Sequence, residues 1–406
     1  MGYSSSWFDS LDIVPAVSKL SPEDFVAASE EINRMIEPRR ERLAGTMKET
    51  QVDHVLLTSL ASLRYFTGYT AGIETGPSPF SPLMGALLWI AGEQPRLFLA
   101  DMESSENVIP GIEVTRFESY TVERPLAAAK DLSAKLLTCL GKLPASRIGF
   151  ESEDLPAGIF ERLRSACPQV EFQDITSSLA RLRMVKDDEE IALLREALGF
   201  CDLGQELTKK LAQRGMTEVE LFAEVRKGME IRAGGRLPVL ADLVSGPRTA
   251  EIGGSPSSRV IQEGDLIISD LVPRRRGYWG DTCNTCVVGE PTAEQRKIFA
   301  GIAAALAEGI DKVHPGMGAC DLDADLRKRV LRLGGGYPHH SGHGLGVTWH
   351  EEPRIVPYNP LVLQAGMVIA LEPGIYFKGR FGLRLEHTIL VTEKGAEVLS
   401  KFKHIL

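Results

Sequence analysis

Apolar positions along this chain change their spacing about halfway through. In the first half, short apolar runs suit strands: His54-Val55-Leu56-Leu57-Thr58, Ala86-Leu87-Leu88-Trp89-Ile90, Arg96-Leu97-Phe98-Leu99 and Arg147-Ile148-Gly149-Phe150. Stretches with helical spacing lie between them, around 125–140 and 156–166, and this alternation predicts an α/β domain with a mixed sheet. Two helices are predicted ahead of it. One starts at Ser21-Pro22-Glu23-Asp24, with a capping serine and proline at the first helical position, and a second follows Pro38 to about Glu49. The Gly-, Pro- and Ser-rich segment 70–82 is predicted as a long loop of the kind that often carries function.

The charged run Arg181 to Glu190 leads into a long helix through Leu194 and Phe200, and marks the hinge. Beyond it, Met216-Thr217-Glu218-Val219-Glu220 opens a helix with a capping box. Strand-like segments then dominate, at 238–245, 265–272, 281–288, 367–371 and 385–391. Helices at 292–312 and 320–333 interrupt them, so the second half is expected to be α+β. The expected domains are 1–176 and 177–406.

A chain of 406 residues is longer than one ordinary core and fits two domains. With 43% hydrophobic and 25% charged residues it reads as a soluble globular protein. A net charge of −9 argues against nucleic acid as a partner and offers no basic patch to a membrane. The longest apolar run, Leu83 to Ala91, is too short to span a bilayer. Met1 to Ser6 has no signal-peptide character. Six cysteines do not suggest a disulfide scaffold, so a cytoplasmic location is expected.

The candidate chemistry is a set of acids placed where acids are costly. Asp270 ends the run Leu266-Ile267-Ile268-Ser269, and Asp281 precedes the strand toward Val287 and Val288. Glu372 ends Ile369-Ala370-Leu371 just before Pro373-Gly374, and Glu386 follows Leu383-Arg384-Leu385. Four of the eight histidines (His339, His340, His343 and His350) fall within twelve residues, His343 between Gly342 and Gly344. Four carboxylates cannot share a pocket while ionised without cations, and two divalent metals would neutralise them. Oxygen donors with one imidazole suit Mn, Co, Fe or Zn. Cys283-Asn284-Thr285-Cys286 is not read as a metal or redox site, because strand residues three apart face opposite ways. Arg274-Arg275-Arg276 is read as a solvated turn.

The order Asp, eleven residues, Asp, then Gly-His-Gly, Glu-Pro-Gly and Arg-x-Glu resembles the creatinase/prolidase/aminopeptidase P family. The resemblance covers nearly all the chain from about residue 39. It includes Arg64-Tyr65-Phe66-Thr67-Gly68-Tyr69, the run Arg181 to Ala197, Tyr278 and Thr285. It implies a pita-bread C-terminal catalytic domain after a smaller creatinase-like α/β domain, acting as a homodimer. It implies two divalent metal ions per chain, manganese first, held by Asp270, Asp281, His343, Glu372 and Glu386, with Asp281 and Glu386 bridging. A metal-bridging hydroxide would attack, Glu372 would move the proton, and His350 would steady the oxyanion. Arg384 would orient Glu386 or bind a substrate carboxylate, while Thr285 and His339 would support the ligands.

The expected activity is cleavage before proline in a dipeptide or short peptide. One departure keeps alternatives open: in Ile252-Gly253-Gly254-Ser255-Pro256, Gly253 stands where peptidases of this family carry a histidine that contacts the substrate. A small-molecule enzyme on the same fold, cutting a non-peptide C–N bond in the manner of creatinase or ectoine hydrolase, or a lyase, is the alternative. A binding protein without catalysis ranks last, because every expected ligand is present.

Overall fold

The computed structural model describes residues 38–71, 85–106, 108, 109 and 111–406. The helix expected from Ser21 and nearly all of the 70–82 loop lie outside the described residues.

A first helix, α1 (38–49), leads into the N-terminal domain. There β1 (His54–Leu57), β2 (Gly85–Ile90), β3 (Arg96–Ala100), β4 (Glu113–Phe117), β5 (Ser146–Phe150) and β6 (Val170–Asp174) form one six-stranded sheet. Their order is β4-β3-β2-β1-β5-β6. β1 and β2 run antiparallel, as do β2 and β3, while β3–β4, β1–β5 and β5–β6 are parallel, so the sheet is mixed as expected. Helix α2 (Leu60–Thr67) packs against this sheet, and α3 (Ala128–Leu140) and α4 (Ala157–Ala166) bury Leu132, Leu136, Leu140, Ile159 and Leu163 in a core with Leu56 and Ile148.

The hinge is two helices rather than one. α5 (Thr176–Met184) stops at Val185, which makes a lone bridge to Met367, and α6 (Asp188–Leu211) restarts from Asp187. Asp187 and Glu190 form a reciprocal capping box, a device worth about 1 kcal/mol. The seam above it is ionic: Arg39 of α1 reaches Asp187 at 2.8 Å and Glu189 at 2.8 Å with a fully buried side chain. α7 (Glu218–Ala233) begins with the capping box expected at Thr217 and Glu220.

The catalytic half carries two larger sheets. In the first, β7 (Val239–Ser245), β8 (Leu266–Arg275) and β10 (Thr282–Val287) run in the order β10-β8-β7, with the short β9 (Tyr278–Trp279) turning back onto β8. In the second, β11 (Gly342–Gly344), β12 (Glu351–Ile355), β13 (Val368–Leu371), β16 (His387–Thr392) and β17 (Gly395–Val398) run in the order β12-β11-β13-β16-β17. The ribbon β14 (Gly374–Phe377) with β15 (Phe381–Arg384) lies between them, while α8 (Ala293–Lys312) and α9 (Ala319–Leu331) pack on the second sheet.

Leu266, Ile267 and Ile268 are all buried because β8 is central and covered on both faces, which explains a continuous apolar run instead of alternation. Asp270 lies in the middle of this strand, not at its end as expected. The arginine run corrects a second expectation. Arg274 is buried against the Trp279 ring, Arg275 pairs with Glu196 at 3.0 Å, and the Arg276 carbonyl accepts from Arg64 of the N-terminal domain at 2.9 Å. The turn is docked against α6 and the N-terminal domain through Arg274, Arg275 and its backbone, and only the Arg276 side chain remains exposed as expected.

Candidate active site

The five predicted ligands converge where the two catalytic sheets meet. The segment between β15 and β16 stitches them. Glu386 donates its amide to the Cys283 carbonyl at 2.9 Å, and Thr388 donates its hydroxyl to the Asp281 carbonyl at 2.6 Å. Thr285 uses its hydroxyl twice, donating to the Arg384 carbonyl and accepting from the Arg384 amide. It holds the backbone ahead of Glu386 and touches no ligand side chain. Glu372 hangs from the end of β13, its amide bonded to the Ser341 carbonyl at 3.0 Å.

His343 is fixed by close backbone packing. A Cβ at position 342 would lie 2.0 Å from the Ala370 carbonyl oxygen, and one at 344 would lie 2.2 Å from that of Glu352. Only glycine lets β11 sit between β12 and β13 at this distance. The His343 Nδ1 faces the Gly344 carbonyl at 2.9 Å, which leaves Nε2 aimed into the site. That nitrogen is 3.5 Å from Asp281 Oδ2 and 3.7 Å from Glu372 Oε1.

Asp281, His343 and Glu386 each offer one ligand atom, all within 4.8 Å of one another, and all three side chains are buried. Burial pushes the Asp281 and Glu386 carboxyls well above the usual range, the negative charges of Asp270 and Glu372 raise both further, and Asp281 raises Glu386. Burial likewise lifts Asp270 to about 6, against the pull of Arg384. Among the described residues nothing hydrogen-bonds Glu386 Oε2, although it is buried. An orphaned buried carboxylate oxygen beside two more acids and an imidazole fits a divalent cation. The donor set fits the implied metals, with hard oxygens in excess and no thiolate.

Arg384 departs from expectation. It does not contact Glu386. Its Nη2 donates to Asp270 at 2.6 Å and to Asp242 of β7 at 3.3 Å, and its Nε lies 3.9 Å from Glu372. Its side chain is only 4% exposed, so it orients Asp270 from beneath and is not free to take a substrate carboxylate.

Three residues went unassigned in the sequence. His340 Nε2 donates to Glu372 Oε1 at 2.7 Å, and its Nδ1 accepts from Arg354 Nη2 at 3.2 Å. The two contacts fix the tautomer and make a chain from Arg354 to Glu372. Burial disfavours the Glu372 charge, but this hydrogen bond and the neighbouring histidines outweigh it and hold the carboxyl well below its usual range. Arg354 itself lines a cavity of about 270 Å³ with Arg183, His350 and Glu351. Asp242 is the third. Four histidines in so short a stretch could have flagged His340, but nothing local marks Asp242 or Arg354.

The other histidines take separate positions. His339 faces the Tyr376 hydroxyl at 3.0 Å and lies 3.7 Å from Glu372, and burial lowers it to about 4. Arg327 of α9 donates to the carbonyls of Tyr337 and His339 and pins this loop. His350 is exposed, with its ring 3.8 Å from that of His343. Partial desolvation on the side that packs against His343, with the neighbouring His343 and His340, lowers it to about 3, so it is neutral and can donate one N–H at pH 7.

Scaffold and donor set together define a metal-dependent hydrolase. The sequence matches the Metallopeptidase family M24 over residues 192–393 and the Creatinase/Prolidase N-terminal domain over 39–185. The chain belongs to the M24 metallopeptidases, with a creatinase-like domain ahead of a pita-bread catalytic domain. It is 30% identical over 370 residues to the Xaa-Pro dipeptidase of Pyrococcus furiosus, covering 89% of this chain and 97% of that one. The prolidase structure from the same organism superposes with a TM-score of 0.74 at 29% identity, covering 88% and 99%. A Xaa-Pro dipeptidase structure from Bacillus anthracis gives 0.78 at 27%, covering 91% and 99%.

Proposed function

We propose that this chain is a Xaa-Pro dipeptidase that works with two divalent metal ions. The observation that carries the reading is the orphaned Glu386 oxygen among buried acids, beside a cavity lined by two arginines. The similarity to Xaa-Pro dipeptidases over nearly their whole length supports it. Asp270, Asp281, His343, Glu372 and Glu386 would hold the ions, and Asp281, His343 and Glu386 already bring one ligand atom each within 4.8 Å of one another. When bound, the ions supply Lewis acidity toward the scissile carbonyl and acidify an attacking water.

The chain's own residues do the rest. Glu372, held ionised by His340, accepts the proton of the water and passes it toward the leaving nitrogen. His350, neutral and exposed beside His343, donates to the carbonyl oxygen as it gains charge. Arg354 and Arg183 offer a forked, cationic wall to the free carboxylate of the proline, which sets the length preference at a dipeptide. Arg384 keeps Asp270 ionised and oriented.

Manganese is our first assignment, since carboxylate oxygens predominate. The six cysteines are all free, which supports a reducing, cytoplasmic setting, and no helix among the described residues is long and apolar enough to cross a membrane. The homodimer rests on family resemblance alone. We take 1–176 and 177–406 as the two units.

The test is a metal-loaded sample on a panel of Xaa-Pro dipeptides and Xaa-Pro-Xaa tripeptides. Dipeptides should turn over best, and Arg354→Ala should raise KM by roughly tenfold or more for dipeptides but not for tripeptides, while any loss passed through His340 lowers kcat for both alike. A folded, loaded enzyme inert on the whole panel would sink the reading. The second reading, a small-molecule C–N hydrolase, is favoured by one observation: the space at Gly253 is filled by Asp242.

A further inference from the structure

Gly253 and Asp242 interlock. A Cβ at 253 would lie 1.9 Å from Asp242 Oδ2 and 3.3 Å from its Oδ1. The carboxylate therefore occupies the space through which any side chain at 253 would have to pass. Asp242 stands directly across the sheet from Asp270, as its Cα partner in the β7–β8 register, so both side chains leave the same face. One guanidinium nitrogen of Arg384 serves both.

Three acids thus surround one arginine: Asp242, Asp270 and Glu372. Asp270 and Glu372 also belong to the metal-ligand set, whereas the Asp242 carboxylate, among the described residues, has only its 3.3 Å contact with Arg384. Of the three, Asp242 alone is open to a ligand, at 39% side-chain exposure against 15% for Asp270 and 8% for Glu372. A further metal ion there would sit against the guanidinium, so a metal is a poor occupant. A monovalent ammonium, which makes three hydrogen bonds and carries one charge, suits a half-exposed carboxylate that has room beside it.

We propose that Asp242 is a specificity-determining residue that binds a substrate ammonium group at the mouth of the metal site, and that Gly253 is glycine to leave that carboxylate room. The proposal builds on the dipeptidase reading for the identity of the substrate, while the recognised chemistry, an ammonium cation, does not depend on it. In a Xaa-Pro dipeptide the cation is the α-amino group or the side chain of a basic first residue.

The binding test uses manganese-loaded protein and isothermal titration calorimetry with L-alaninamide, its neutral N-acetyl form, and propionamide, which lacks the amine and adds no bulk. Wild type should prefer the free amine by roughly tenfold or more, and Asp242→Asn should erase that preference. Gly253→Ala, which evicts the carboxylate from its place, should act like Asp242→Asn. A preference equal in wild type and both variants overturns the proposal, as does no preference in wild type. A purely structural role, holding Arg384, would weaken all three ligands alike and also counts against it.

The kinetic arm compares Ala-Pro, Lys-Pro and their Nα-acetyl forms. A KM increase in Asp242→Asn for both free dipeptides identifies the α-amino group. An increase that survives Nα-acetylation in the lysine substrate identifies the side chain. If no Xaa-Pro substrate turns over while the calorimetric preference holds, the dipeptidase reading falls and the Asp242 assignment stands.

Discussion

Two buried glutamates in the same domain show opposite chemistry. Glu351 opens β12 and lies 3.0 Å from Lys186 and 3.9 Å from Arg183, with the Thr348 amide and hydroxyl on its other oxygen. Burial works against its charge, but these cations win and its carboxyl falls below the usual range. Glu386 is as deeply buried, has an oxygen with no partner among the described residues, and is pushed well above that range. Glu218 is also fully partnered, with Arg248, Ser245 and Ser257 all on one carboxylate. A carboxylate that builds structure brings its partners with it. A carboxylate that waits for a metal is left incomplete, and that incompleteness is the signature.

The contrast can be broken most sharply at Glu386 itself. Glu386→Gln keeps the shape and removes the charge. Activity should fall on the order of a thousandfold, as for loss of a group acting only with its partners, and elemental analysis should find fewer bound ions. The same variant stripped of metal should be more stable than stripped wild type at neutral pH, by about 1–2 kcal/mol. A stripped variant that is less stable would mean that Glu386 is structural after all.

Glu351→Gln is the mirror experiment. It leaves the fully buried Lys186 without its counter-charge, at a cost of about 3–5 kcal/mol. Thermal or urea unfolding should register this loss, while bound metal per folded chain should not change.

The third and smallest effect is a pH dependence. Raised carboxyls mean that the metal-free folded state holds protons the unfolded chain has released. Metal-free stability therefore declines as pH rises from about 4 through about 6, where Asp270 titrates, and beyond for Asp281 and Glu386. Bound ions take the place of those protons. Chelation should then lower Tm by several degrees more at about pH 8 than at about pH 5. An equal loss at both would contradict the raised carboxyls.

The ligand set was legible because it depends on residue type and place: acids on apolar strands and a histidine between glycines are anomalies that a sequence displays. The mixed N-terminal sheet and the helix start at Thr217 were legible for a similar reason, through periodicity and capping. What stayed hidden is pairing across distance. Arg384 sits two residues from Glu386, which suggested a partnership, yet its guanidinium turns to Asp270 and Asp242, 114 and 142 positions away. His340 looked like one more histidine in a run until Arg354 and Glu372 gave it two different neighbours. The arginine turn at 274–276 looked solvated because the helix and domain that cover it come from elsewhere in the chain.

The squeeze of β11 between its neighbours has a consequence for how this sequence can drift. Gly342 and Gly344 hold neither ion nor substrate, yet each faces a backbone carbonyl that cannot swing aside as a side chain could. A heavier residue at 342 would push β11 away from the strand bearing Glu372, one at 344 would push it away from β12, and either would move His343. In lineages that keep the metal centre, these two positions should be as immobile as the histidine they flank.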